Sequence, residues 1–184
     1  MKTIPRLVCG VSILCALCVG ELLARPRTFV AGDRVRFKID VPPGYSFKTE
    51  TAPDGQVVVK LENPVWPINI AAVIAPASLV SAGTEEAQRN LLVQETAEIL
   101  AQSKEQDYRF VALNPARGTG VYCLFSDPNV RPPETLGPNE YLHILAGIKT
   151  IPGAVMYFRI MCNDVTSPEF QEAMGLFVDY FHEA

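Results

Sequence analysis

Residues 141–164, YLHILAGIKTIPGAVMYFRIMCND, constrain the fold more than any other stretch of the chain. Two long apolar runs meet there at Pro152-Gly153. Proline sets φ near the value wanted at the second position of a turn, and the glycine after it tolerates positive φ. The stretch therefore predicts a β-hairpin. Along its first strand Leu142, Ile144, Ala146 and Ile148 alternate with Tyr141, His143, Leu145, Gly147 and Lys149. Along the second, Val155, Tyr157 and Met161 alternate with Met156, Phe158, Ile160 and Cys162. Both faces are largely apolar, whereas a strand covered on one side only would alternate more cleanly. The hairpin thus predicts a sheet shielded on both faces.

A helix is predicted directly afterwards, over 167–182. Ser167 suits its N-cap, Pro168 its first turn, and Glu169 the positive end of its dipole. Phe170, Met174, Phe177, Val178 and Phe181 recur at helical spacing and form one apolar face. Such a stripe reads as core rather than as a cofactor pocket.

Earlier in the chain, 25–32 reads as a short basic lead-in. In 33–41, DRVRFKIDV, the alternation is strict, as in a half-exposed strand near a sheet edge whose charges guard the outer face. Segments 45–52 and 56–62 flank Pro53-Asp54-Gly55, a hairpin signal. After the break at 63–67, 68–75 resumes as a strand. Thr84 caps a helix with Glu85 and Glu86 in its first turn, and its stretch 87–104 turns Leu91, Leu92, Thr96, Ile99 and Leu100 inward. Glu95 and Glu98 read as solvated charge on its outer face. Short strands follow at 109–113 and 121–126, with a turn at 114–120 between them. Gly118-Thr119-Gly120 leads into a strand, not out of one into a helix, so it is no phosphate cradle.

Composition limits what such a domain can do. Residues 7–19 form an apolar run behind Lys2 and Arg6, too short to span a bilayer comfortably, and Gly20–Ala24 follows as a cleavage region. This reads as a secretory signal peptide over 1–24, cleaved near Ala24, leaving one domain over 25–184, no stable membrane anchor, and a secreted or periplasmic location. Without Lys2, Arg6 and Glu21, 14 of the 16 basic and 19 of the 20 acidic side chains remain, a net charge of −5. With no basic patch, nucleic acid is excluded as a partner.

Cys123 and Cys162 are the cysteines beyond residue 24. Export permits a disulfide between them. If 121–126 joins the hairpin beside its first strand, however, the two lie about 9.6 Å apart across an intervening strand, beyond the usual reach. Two buried thiols are the favoured reading, with the bridge as the alternative. His143 and His182 show no metal-ligand spacing, and no nucleotide or hydrolase motif occurs, so neither metal nor cofactor is expected. The hairpin register brings Cys162 near His143, which keeps a Cys–His nucleophile in view.

The remaining candidates are surfaces. The loop 127–140, DPNVRPPETLGPNE, holds four prolines in 14 residues and is stiff enough to present a surface. Arg131, Pro132, Pro133 and Leu136, with Trp66 (the single Trp), form the candidate interaction surface. Tyr141, His143 and Arg159 form a candidate pocket. An Arg among apolar neighbours needs a partner, either a carboxylate such as Glu140 or an anionic ligand.

The run FKIDVPPGYSF at 37–47, and the order strand, long loop, hairpin and aromatic-striped helix from 118 onward, resemble the Mog1/PsbP-like family, including its bacterial DcrB-like branch. The resemblance covers about 30–184. It implies an α+β fold, a three-layer α/β/α sandwich around a mainly antiparallel sheet. It carries over no catalytic motif, since the family's known roles are mostly non-enzymatic: binding a small GTPase, assisting a photosynthetic complex, or serving in the envelope. The expectation is an exported, non-enzymatic binding or accessory domain that engages an unidentified protein in the bacterial envelope. The alternative is a small-ligand carrier or sensor with a pocket near Arg159 and His143.

Overall fold

Pro152 and Gly153, the latter at φ 80°, connect β8 (His143–Ile151) to β9 (Ala154–Cys162) in two residues and leave Ile151 opposite Ala154. The structure, a computed structural model, describes residues 25–183 apart from 32–34, 42, 64–67, 81, 114–118, 130, 138 and 179–180. Around this hairpin stand β3 (Ser46–Thr51), β4 (Val57–Glu62), β5 (Asn69–Pro76), β6 (Val111–Ala112) and β7 (Thr119–Ser126). They form a seven-stranded sheet in the order β3-β4-β5-β9-β8-β7-β6. Every described pairing in it is antiparallel.

One face of this sheet carries α1 (Glu85–Ala101). Thr84 Oγ1 accepts the Ala87 N–H at 3.2 Å, and Glu85 and Glu86 occupy the first turn, as the sequence predicts. Leu92 packs with Val121, Cys123, Phe125, Ala146, Ile148 and Val155. The other face carries α2 (Pro168–Val178), whose Ser167 Oγ accepts the Phe170 N–H at 3.1 Å. Phe170, Ala173 and Leu176 are buried there, and full burial of a large apolar side chain contributes about 1.5–3 kcal/mol. The sandwich has helix on one side of the central sheet and helix with strand on the other.

Three expectations need correction. The alternating segment is β2 (Val35–Val41), and its Phe37, Ile39 and Val41 are buried as predicted. It does not edge the main sheet, however. It is the middle strand of a second, three-stranded sheet with β1 (Arg25–Ala31) and β10 (Phe181–Glu183), packed on the α2 face. Residues 25–31 are therefore a strand rather than a lead-in. The final helix stops at Val178, and Phe181 pairs with Ile39 in β10 instead of extending the stripe.

Candidate functional site

The α1 face is only partly covered. The helix packs chiefly on β7 and β8, so among the described residues no helix covers the half of the sheet built by β3, β4 and β5 on this face. The expected shielding of both faces fails here. Alternation explains why this half tolerates water. Val57, Val59 and Leu61 of β4 point to the buried face, while Lys60 and Glu62 point to the open one. Lys48 and Glu62 pair at 2.9 Å, and Lys60 and Glu50 at 4.0 Å, all at the surface.

Between this polar margin and α1 runs a groove of about 480 Å³. Its floor is Ala71, Val73 and Ala75 of β5 with Val155 and Tyr157 of β9, and Leu91 of α1 forms a wall. Arg159 closes one end. Its Nε donates to the Tyr157 hydroxyl, its Nη2 donates to the Glu95 carbonyl at 3.3 Å, and its guanidinium lies 5.0 Å from the Tyr157 ring centroid. Burial pushes the Tyr157 hydroxyl above its ordinary range, and the Arg159 hydrogen bond and charge pull the other way. Among the described residues no carboxylate forms an ion pair with Arg159.

Glu140 is therefore not the partner of Arg159. Its carboxylate lies 3.3 Å from Arg131 and accepts the Gly137 N–H at 2.8 Å. The predicted pocket of Tyr141, His143 and Arg159 is not assembled. His143 stands opposite Cys162 on the α2 face, while Arg159 stands opposite Ala146 on the α1 face. Tyr141 lines a separate cavity of about 200 Å³ with Ile99, Gln102 and Phe125.

His143 and Cys162 are cross-strand partners, as the turn predicts. No side-chain hydrogen bond joins them among the described residues. His143 Nδ1 lies 3.2 Å from Ser126 Oγ, and burial pushes the Cys162 thiol up to about 11. A nucleophilic cysteine needs the opposite shift. Cys123 and Cys162 are both free and buried, on strands separated by β8 and on opposite faces of the sheet. The alternative of a bridge fails on direction as well as distance.

On the loop, Arg131, Pro132 and Pro133 are exposed and Leu136 is half-buried. Pro132 sits at φ −56° and ψ 133°, and Pro133–Thr135 form one 3₁₀ turn. Thr135 Oγ1 and N both donate to the Pro132 carbonyl, at 2.7 and 2.9 Å. Trp66 lies outside the described residues. No described helix is long and apolar enough to cross a membrane, and no described cluster of His, Cys, Asp and Glu could hold a metal ion.

Sequence reasoning missed two residues of the α1 face. Glu95, read as solvated, lines the groove and lends its carbonyl to Arg159. Its place one helical turn after Leu91 was the signal. Gln88 is fully buried, its two-donor amide nitrogen within hydrogen-bond distance of Ala82 O, Thr119 Oγ1 and Thr150 Oγ1. It stands four residues before Leu92, on the inward stripe.

No protein-family model matches the chain, and no curated protein does. Among solved structures, the solution structure of cyanobacterial PsbP (CyanoP) from Synechocystis sp. PCC 6803 is similar. The identity is 13%, the likeness covers 90% of this chain and 95% of that one, and the TM-score is 0.54. At that identity the likeness speaks for the fold alone. Together with the order of elements described above, it gives the chain a Mog1/PsbP-like fold.

Proposed function

We propose that this is a non-enzymatic binding or accessory domain, exported to the bacterial envelope or beyond, which engages another protein through the loop at 127–140. The observation that carries this reading is the loop's internal hydrogen bonding beside exposed prolines. Two hydrogen bonds at Pro132, the Gly137–Glu140 contacts and the Arg131–Glu140 pair brace the described part of the loop, where Pro132 and Pro133 are exposed. A surface ordered before binding loses less conformational freedom on binding. The PsbP-like fold supports an accessory or binding role at this coarser level.

The test is capture of a partner from the native envelope by cross-linking, with residues 129–138 intact or replaced by a short Gly-Ser linker. Loss of the partner on replacement is expected. Capture undiminished by the replacement would overturn this surface.

The groove beside α1 favours a second reading, a small-ligand carrier. Its volume falls within the range of small-molecule sites, and its lining is apolar with a few convergent polar groups. His143, on the opposite face, takes no part in it.

A further inference from the structure

We infer that the groove takes an aliphatic carboxylate, its head on Arg159 and its tail along β5 and β9 toward Val155. This rests on the carrier reading of the groove.

Guanidinium carries five N–H donors. In Arg159 one is given to the Tyr157 hydroxyl and one to the Glu95 carbonyl, so three remain for a ligand. The stack on Tyr157 and these two bonds fix the plane of the fork before anything binds, which suits a planar, bidentate carboxylate. With no ion pair to Arg159 among the described residues, its charge is available.

The tail follows from the floor. From Arg159 to Val155 the groove runs four residues along β9, about 13 Å at strand rise, room for about eight to ten carbons at C–C bonds near 1.5 Å. Ala71, Val73 and Leu91 offer that length apolar contact and no polar partner, and Gln56 is the polar residue that also lines the groove.

Glu95 supplies an internal control. Glu95 lines the groove at the Arg159 end, on an exposed helix face where its replacement does not threaten the core. An anionic head is repelled by it and a cationic head attracted.

The experiment is titration of the full chain with sodium octanoate, octylammonium chloride and octanol. Calorimetry gives affinity, and amide chemical shifts at Val73 and Tyr157 give location. Octanoate is expected to bind at least tenfold tighter than the other two. Arg159→Gln is expected to abolish that preference, and Glu95→Gln to strengthen octanoate several-fold. If octylammonium or octanol binds as well as octanoate, or Glu95→Gln weakens octanoate, the carboxylate assignment falls while the carrier reading stands. If none of the three shifts the groove amides, both fall. A short peptide with a free C-terminal carboxylate that binds tighter than octanoate would overturn the aliphatic tail and leave the head.

Discussion

The ring of Phe158 fills the space that a side chain on Gly147 would need: a Cβ there would stand 2.7 Å from Phe158 Cε1 and 3.0 Å from Tyr122 Cβ. The two residues are cross-strand partners on β8 and β9, at the centre of the sheet. Phe158 is fully buried, so its ring has nowhere to retreat. Gly147→Ala is therefore expected to destabilise the fold by about 1–3 kcal/mol, the usual cost of overpacking. Urea unfolding checks this. Phe158→Leu in the Gly147→Ala background should cost less than in the native one, because the smaller side chain relieves the clash. Tyr122 Cβ keeps that relief partial.

Gln88 is a second point of concentrated stability. Its amide nitrogen reaches Thr119 Oγ1 and Thr150 Oγ1 at 3.0 Å each and Ala82 O at 3.1 Å, tying α1 to β7, β8 and the segment before the helix. Its Oε1 is buried and has no hydrogen-bond partner among the described residues. Gln88→Ala is expected to cost about 1–3 kcal/mol, through partners left buried and unpaired. Thr150 also donates to Ala82 O at 2.9 Å, so it belongs to the same network. Gln88→Ala and Thr150→Val should consequently fall short of additivity in a double-mutant cycle.

These residues mark the limits of what the sequence discloses. The hairpin, both helix N-termini and the second hairpin at Asp54-Gly55 were legible because each depends on local chemistry: a turn, a cap, a period. The small sheet was not. Phe181 stands at helical spacing from Phe170, Met174 and Phe177, and nothing local reveals that β2 will pair with it from the far end of the chain. Gln88 is polar and so stands outside the apolar pattern, although its place one turn before Leu92 puts it on the buried stripe. The groove was partly legible. A two-residue turn at Pro152-Gly153 already puts Arg159 opposite Ala146 and His143 opposite Cys162, so the turn alone separates Arg159 from His143. What no local pattern contains is how far α1 reaches across the sheet, and that reach creates the groove.

Stability should fall at alkaline pH. Burial pushes the thiols of Cys123 and Cys162 up to about 11, from an ordinary value near 9. A raised thiol is neutral in both folded and unfolded chains at pH 7, so its contribution is intact there. As pH climbs past 9, the unfolded chain releases protons that the folded chain retains, and stability drops until pH passes about 11. The rise corresponds to about 2–3 kcal/mol for each thiol. Urea midpoints at pH 7, 9 and 10.5 measure the slope, and Cys123→Ala with Cys162→Ala should flatten it. Tyr45, raised by burial and by Glu172 and Glu169, leaves a residual slope. Alkylation of the native protein at pH 8 should spare the peptides containing both cysteines.

The last prediction separates the loop's order from the protein's stability. Arg131 and Glu140 pair at 3.3 Å with 44% and 47% of their side chains exposed. Exposed pairs of this kind contribute about 0–1 kcal/mol. Glu140→Ala should accordingly leave the unfolding midpoint nearly unchanged. The same carboxylate accepts the Gly137 N–H at 2.8 Å, and no other group is recorded on that N–H among the described residues. Its removal frees both the amide and the Arg131 side chain, so hydrogen exchange at Gly137 should accelerate several-fold while β8 amides keep their protection. If the loop docks a partner by virtue of its preset shape, Glu140→Ala must weaken capture even though Pro132 and Pro133 are untouched. Capture that survives the faster exchange would mean that the prolines are recognised for their chemistry, and that the loop's rigidity is incidental to binding.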